Sequence, residues 1–159
     1  MKKLIGFLIL IVAFTACQKK QYTDKGPEID LVKSVDDAFL KADFVAYKAA
    51  YSDTASVWFN DWNGADTSLD SLVSALQRAR SNYSDLKINM PVYEMVITDA
   101  GDQWVHRWCK WEATLKNGKS VAWPSHASFL VSAGKIRGAG YIFNALPGYL
   151  ANQDSTASK

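Results

Sequence analysis

Lys119-Ser-Val-Ala-Trp-Pro-Ser-His-Ala-Ser-Phe-Leu-Val-Ser132, Ala133-Gly134, Lys135-Ile-Arg-Gly-Ala-Gly-Tyr-Ile-Phe-Asn144 is the stretch that decides how this chain is read. Two runs rich in β-branched and aromatic side chains, parted by a short Gly-containing break, predict a β-hairpin. Immediately before it, Asn117-Gly118 is a strong hairpin signal, so Gln103 to Leu115 is expected to be the preceding strand. Asp99-Ala-Gly-Asp102 reads as a turn, and Leu86 to Thr98 as one more strand. Pro91 cannot donate to a ladder, which puts that strand on an edge or gives it a bulge. The second half of the chain thus predicts four strands in an antiparallel meander.

The first half has a different period. Ile29, Val32, Val35, Phe39 and Ala42 recur every three or four residues, a helical stripe that leaves Lys33, Asp36, Asp37 and Lys41 facing water. Asp43 offers an N-cap to a second helix from Phe44 to Tyr51, and Ala55 to Phe59 turns β-like. Asn60-Asp-Trp-Asn-Gly-Ala-Asp66 is loop chemistry. Thr67 with Asp70 approximates a capping box for a helix whose apolar stripe is Leu69, Leu72, Val73, Leu76 and Ala79. Helices gathered early and hairpins gathered late predict an α+β fold, a curved antiparallel sheet wrapped around N-terminal helices with a pocket in its mouth.

The chain begins Met1-Lys2-Lys3, runs apolar from Leu4 to Phe14 and reaches Thr15-Ala16-Cys17, the order of a secretory leader, too short for a membrane-spanning helix. Phe14-Thr15-Ala16-Cys17 resembles a bacterial lipobox, which implies lipidation of Cys17 and a membrane anchor without a transmembrane segment; an ordinary signal peptide cut nearby is the alternative. The expected organisation is a leader over 1–16, a lipid-anchored tether over 17–28, one domain over 29–150 and a frayed tail over 151–159. Losing Lys2 and Lys3 lowers the 18 basic residues to 16, against 16 acidic ones. That neutrality, with no basic run beyond Lys19-Lys20, argues against nucleic-acid binding. Lipidation of Cys17 also leaves Cys109 without a disulfide partner, so a buried thiol is its plain reading. Gln18 rather than Asp after Cys17 predicts a cell-envelope location, outer membrane facing the periplasm.

Over Ile29 to Asn144 the chain resembles the nuclear transport factor two-like superfamily, especially its SnoaL-like branch. The resemblance rests on Phe129 to Asn144 as the closing hairpin with Gly134-Lys135-Ile136 at its turn, on Ala42-Asp43-Phe44 between two helices, and on Tyr51-Ser-Asp-Thr-Ala-Ser-Val leading into a strand. It implies a cone-shaped α+β barrel with an interior pocket. The fold hosts isomerases, cyclases, hydrolases and plain binding modules, so activity has to come from the residues. By the same resemblance, the ketosteroid isomerase base falls on Phe59 and its oxyanion tyrosine on Val35, and both roles are vacant.

Asp61, two residues past Phe59, is the candidate general base of an enzymatic alternative, with Tyr141 or Arg107 holding an oxyanion; as a loop residue it needs no such role. Side-chain phase puts Phe129, Val131, Ile136, Trp123 and Ser125 inward and His126 outward. On the preceding strand Val105, Arg107, Cys109 and Trp111 are the inward set, with Trp104, His106 and Trp108 outward. The expected ligand-binding set is therefore Phe59, Arg107, Trp111, Trp123, Ser125, Phe129 and Tyr141, suited to a small planar apolar ligand whose carboxylate would meet Arg107. The plainer alternative is a filled interior with Arg107 paired to an acid such as Glu94. Two histidines without acidic or thiol partners at ligand spacing predict no metal site, and no cofactor is expected. The outward Trp104, His106 and Trp108 suit a homodimer contact through the sheet face.

Overall fold

The computed structural model describes residues 21–60 and 67–153. The leader with Cys17 and the candidate base Asp61 lie outside the described residues. The elements in chain order are β1 (Tyr22–Thr23), α1 (Pro27–Leu40), α2 (Phe44–Ala49), β2 (Tyr51–Phe59), α3 (Leu69–Ser81), β3 (Tyr83–Ile97), β4 (Gln103–Leu115), β5 (Ser120–Ser132), β6 (Lys135–Phe143) and α4 (Leu146–Gln153). The strands form one sheet in the order β1-β3-β4-β5-β6-β2. β3 to β6 are the expected antiparallel meander. β2 differs: it lies parallel to β6, with Val57 opposite Ala139 and Phe59 opposite Tyr141. The sheet is therefore mixed, and the first long strand of the domain is stitched to its last.

The β5–β6 hairpin turns through Ala133 and Gly134 at φ 51° and 70°, the doubly left-handed geometry that matches the twist of the flanking strands. At Asn117-Gly118 the turn is longer than two residues; Asn117 Oδ1 accepts from the Lys119 amide at 3.0 Å. In β3 the register shifts between Asn89 and Val92, with Met90 at φ 49°, so Pro91 sits in a bulge. That bulge reverses the phase of the strand: Leu86 faces the core before it, and Tyr93 and Met95 do so after it.

α1 starts at Pro27, whose missing amide proton is harmless in a first turn, and ends in a Schellman-type close. There the Asp43 amide donates to Ala38 O at 2.8 Å and the Ala42 amide to Phe39 O at 3.1 Å, with Ala42 itself at φ 57°. Asp43 then caps α2 by accepting from the Ala46 amide at 2.9 Å. α2 stops at Ala49, two residues earlier than expected, and β2 begins at Tyr51, four residues before the expected Ala55. The cap of α3 is Ser68, accepting from Ser71 N, and not Thr67, whose amide instead donates to Val57 O at 2.7 Å. β1 pairs with Met95 and Val96, and α4 runs from Leu146 to Gln153.

The main core lies between α1–α3 and the concave face of the sheet, where Ile29, Val32, Val35, Leu72, Val57, Val105, Phe129 and Ile136 are fully or almost fully buried. A smaller cluster of Leu86, Trp111 and Ala113 packs with Phe39, Leu40 and Trp123. The sheet curls over the helices and leaves a cavity between them.

Candidate functional site

Inward-facing residues of β4 and β5 make one wall of a cavity of about 140 Å³. Register places Trp111 opposite Trp123 and Cys109 opposite Ser125, so Arg107 reaches Ser125 on the diagonal of the same face. β6 contributes Tyr141 and Phe143, β2 contributes Phe59, α1 contributes Asp36 and Phe39, α2 contributes Tyr47, and α3 covers the cavity with Leu76 and Ala79. The lining is mostly apolar, with its polar groups gathered in two clusters.

The first cluster is an ion pair. Asp36 and Arg107 are 4% and 3% exposed, and the Arg107 guanidinium donates directly to Asp36 Oδ1. Tyr93 Oη donates to the other carboxylate oxygen at 2.9 Å, and Arg107 also reaches Ser125 Oγ at 3.4 Å. The guanidinium lies over the Trp111 ring at 5.4 Å. Burial pushes the Asp36 carboxyl above its usual range, while Arg107 and Tyr93 pull it back. Burial alone would lower Arg107, but the Asp36 carboxylate more than offsets that and holds it protonated. Arg107 Nε finds no partner among the described residues. Cys109, a half-buried thiol beside this pair, is pushed up to about 11 by burial, which makes it unreactive at neutral pH.

The second cluster is a triangle of phenols. Tyr141 Oη lies 2.9 Å from Tyr47 Oη and 2.6 Å from Tyr51 Oη, and those two are 3.1 Å apart. All three are pushed above the ordinary tyrosine range, burial being the largest cause, so they are neutral hydroxyls at physiological pH. Tyr141 stacks on Phe59 at 5.2 Å and meets Phe129 edge-on at 5.7 Å.

Of the residues expected from the sequence, Phe59, Arg107, Trp111, Trp123, Ser125 and Tyr141 come together on the cavity wall. Phe129 does not; it is fully buried behind Tyr141 in the core. Asp36, read from its charge as a surface residue, is buried, and it rather than Glu94 pairs with Arg107. Glu94 follows the bulge, where the phase has reversed, and accepts from Trp108 Nε1 at 3.1 Å on the outer face. Asp36, Phe39, Tyr47, Tyr51 and Tyr93 were missed. For Asp36 a signal existed: it lies seven residues after Ile29 and four after Val32, on the apolar stripe itself. No local signal brings Tyr47 and Tyr51 to Tyr141.

Both histidines are on the outer face, as their phase requires. His106 Nδ1 is 2.9 Å from Ser128 Oγ, the two imidazoles stack at 5.6 Å, and His126 lies 4.0 Å from the Trp108 ring. Trp108 is 50% exposed there. Among the described residues no group of three His, Cys, Asp or Glu side chains could hold a metal ion. A larger groove of about 940 Å³ runs between α2 and α3. It is open to solvent and its Lys48 and Asp70 are already paired at 2.6 Å, so the smaller, aromatic cavity is the better candidate for a specific ligand.

No protein-family model matches the chain, and no curated protein does. Solved structures do. A protein assigned as a polyketide cyclase from Xanthomonas campestris pv. campestris superposes with a TM-score of 0.64 at 20% identity, covering 81% of this chain and 98% of that one. A SnoaL-like protein from Shewanella denitrificans, also assigned as a polyketide cyclase, gives 0.63 at 13% identity, covering 82% and 99%. An LEH-like epoxide hydrolase from M. tuberculosis gives 0.56 at 15% identity, covering 76% and 81%. The order of helices, the curled mixed sheet and these superpositions agree that the chain has the SnoaL-like, nuclear transport factor two-like α+β fold.

Proposed function

We propose that the domain binds a small, planar and largely apolar molecule in the cavity between sheet and helices, without transforming it, and does so as a lipoprotein of the cell envelope held by Cys17. One observation carries the binding reading: a cavity of about 140 Å³ remains among Phe39, Phe59, Trp111, Trp123 and Phe143, where side chains of this size could have filled the space. An engineered apolar cavity of roughly 150 Å³ holds benzene, so the volume corresponds to about one ring. Binding without turnover follows from how the acid and base are used. Both Asp36 oxygens are engaged, the Arg107 charge is spent on Asp36, and Phe59 stands where the resemblance would require a base. Titration of the purified protein with single-ring aromatics, followed by tryptophan fluorescence and by chemical shifts of the cavity side chains, tests this reading. Saturable binding with the ligand recovered unchanged supports it; saturation absent for every ring rejects it.

Catalysis by acid–base chemistry is the second reading, and one observation favours it: the Asp36 carboxylate is part of the cavity wall. Some of the structural neighbours are named for cyclase or hydrolase activity. A product that forms with the wild-type protein and not with Asp36→Asn would establish it.

A further inference from the structure

We infer that the ligand this cavity selects is an uncharged ring carrying one acceptor oxygen, such as an aryl ketone, and that a carboxylate of the same size is rejected. The inference rests on the binding reading above and specifies its chemistry. A carboxylate entering the cavity would meet no free cation among the described residues, where Arg107 is the only cation of the lining and already contacts Asp36. It would instead add an uncompensated negative charge beside the neutralised Asp36–Arg107 pair, and burying an unpaired charge is far costlier than burying a hydrogen-bonded neutral oxygen.

Donors, in contrast, are in surplus. Arg107 Nε–H has no partner among the described residues. Tyr141 is the hub of the phenol triangle, with the two shortest contacts of the three, 2.6 and 2.9 Å. When Tyr47 and Tyr51 both donate to it, its own proton is left for an acceptor in the cavity that it lines. Chains of hydrogen bonds strengthen their terminal donor. Tyr51 is not on the cavity wall and acts through Tyr141, as a positioning residue.

Three probes of one shape test this: acetophenone, ethylbenzene and benzoate, titrated at neutral pH into full-length protein and into Tyr141→Phe. Acetophenone is expected to bind at least about tenfold more tightly than benzoate. Tyr141→Phe is expected to weaken acetophenone about three- to tenfold while moving ethylbenzene less than about twofold, the signature of one lost hydrogen bond. Benzoate binding as tightly as acetophenone overturns the inference and leaves the binding reading standing. Failure of all three probes overturns both. Equal losses for acetophenone and ethylbenzene in Tyr141→Phe overturn the assignment of the donor. If that variant is unfolded by circular dichroism, Tyr51→Phe replaces it, with an expected loss of about twofold for acetophenone alone.

Discussion

The two faces of β4 and β5 carry contrasting chemistry. The outer face holds the residues most often associated with catalysis, His106 and His126, stacked on one another, with His126 also against a half-exposed Trp108. The inner face holds neither histidine; it carries Arg107 and Ser125, and Arg107 meets Asp36 of α1, which also accepts from Tyr93 of β3, beside the cavity. Residue type is thus a poor guide to the working side of a sheet, whereas strand phase and desolvation are good ones. The inner groups are expensive to bury and are held by one another, so disturbing one strands its partner. On the outer face Trp108 is half exposed and the two histidines are only partly buried, so a change there is expected to cost less.

The strongest way to break this contrast is at the ion pair. Asp36→Ala leaves the Arg107 guanidinium buried and unpaired, with an expected loss of about 3–5 kcal/mol in urea denaturation. The double variant Asp36→Leu with Arg107→Met should lose clearly less than that single change, since two apolar side chains leave no charge behind. A single-variant loss below about 1 kcal/mol would show that the pair is not truly desolvated. The outer face has one tight spot to set against it. At Gly140 an added Cβ would sit 2.3 Å from Trp58 Cε2, while at Gly138 its nearest neighbour, Leu130 Cβ, would be 3.7 Å away. Gly140→Ala should therefore cost about 1–3 kcal/mol in thermal unfolding, and Gly138→Ala less than about 0.5 kcal/mol.

Tyr51→Phe removes one hydroxyl of the inner triangle and should cost about 1 kcal/mol, with the largest shift changes at Tyr141 in NMR spectra. The smallest effect belongs to the histidines. Burial lowers both below the ordinary value of 6.5; for His106 the charge of Glu94 opposes it, and for His126 the charges of His106 and Arg107 add to it. The folded state thus prefers neutral rings, and the stability they contribute is present above pH 6.5 and lost as the pH falls through the depressed values. His106→Gln with His126→Gln should flatten stability between pH 7.5 and 5; an unchanged slope would place the acid-sensitive group elsewhere.

Much of this was legible because alternation is a local property. Val105, Arg107, Cys109 and Trp111 on one face and His106 and Trp108 on the other follow from period two alone. So do Trp123 and Ser125 inward with His126 outward, and the turn at Ala133-Gly134 follows from its own residues. What was not legible is of two kinds. Glu94 leaves the inner face because the Pro91 bulge reverses the phase of every residue after it. Asp36 was misplaced because its charge outweighed its position on the helical stripe, and its partner lies 71 residues away. Long-range pairs such as Asp36–Arg107 and the parallel seam of β2 with β6 leave no local trace.

That seam has a consequence for the making of the protein. Tyr51 and Tyr141 are 90 residues apart, and among the described residues β2 lies at the end of the sheet with β6 as its neighbouring strand. A growing chain can therefore fold its first helices and pair its middle hairpins, but the cavity floor cannot exist until the last strand has been synthesised. Closure over so long a separation is slow relative to local helix and hairpin formation. Until then the inner face of β2 and the phenols of Tyr47 and Tyr51 await a partner still to be translated. A chain stopped just before Lys135 would carry α1, α2 and α3 but neither Tyr141 nor Phe143 of the cavity wall.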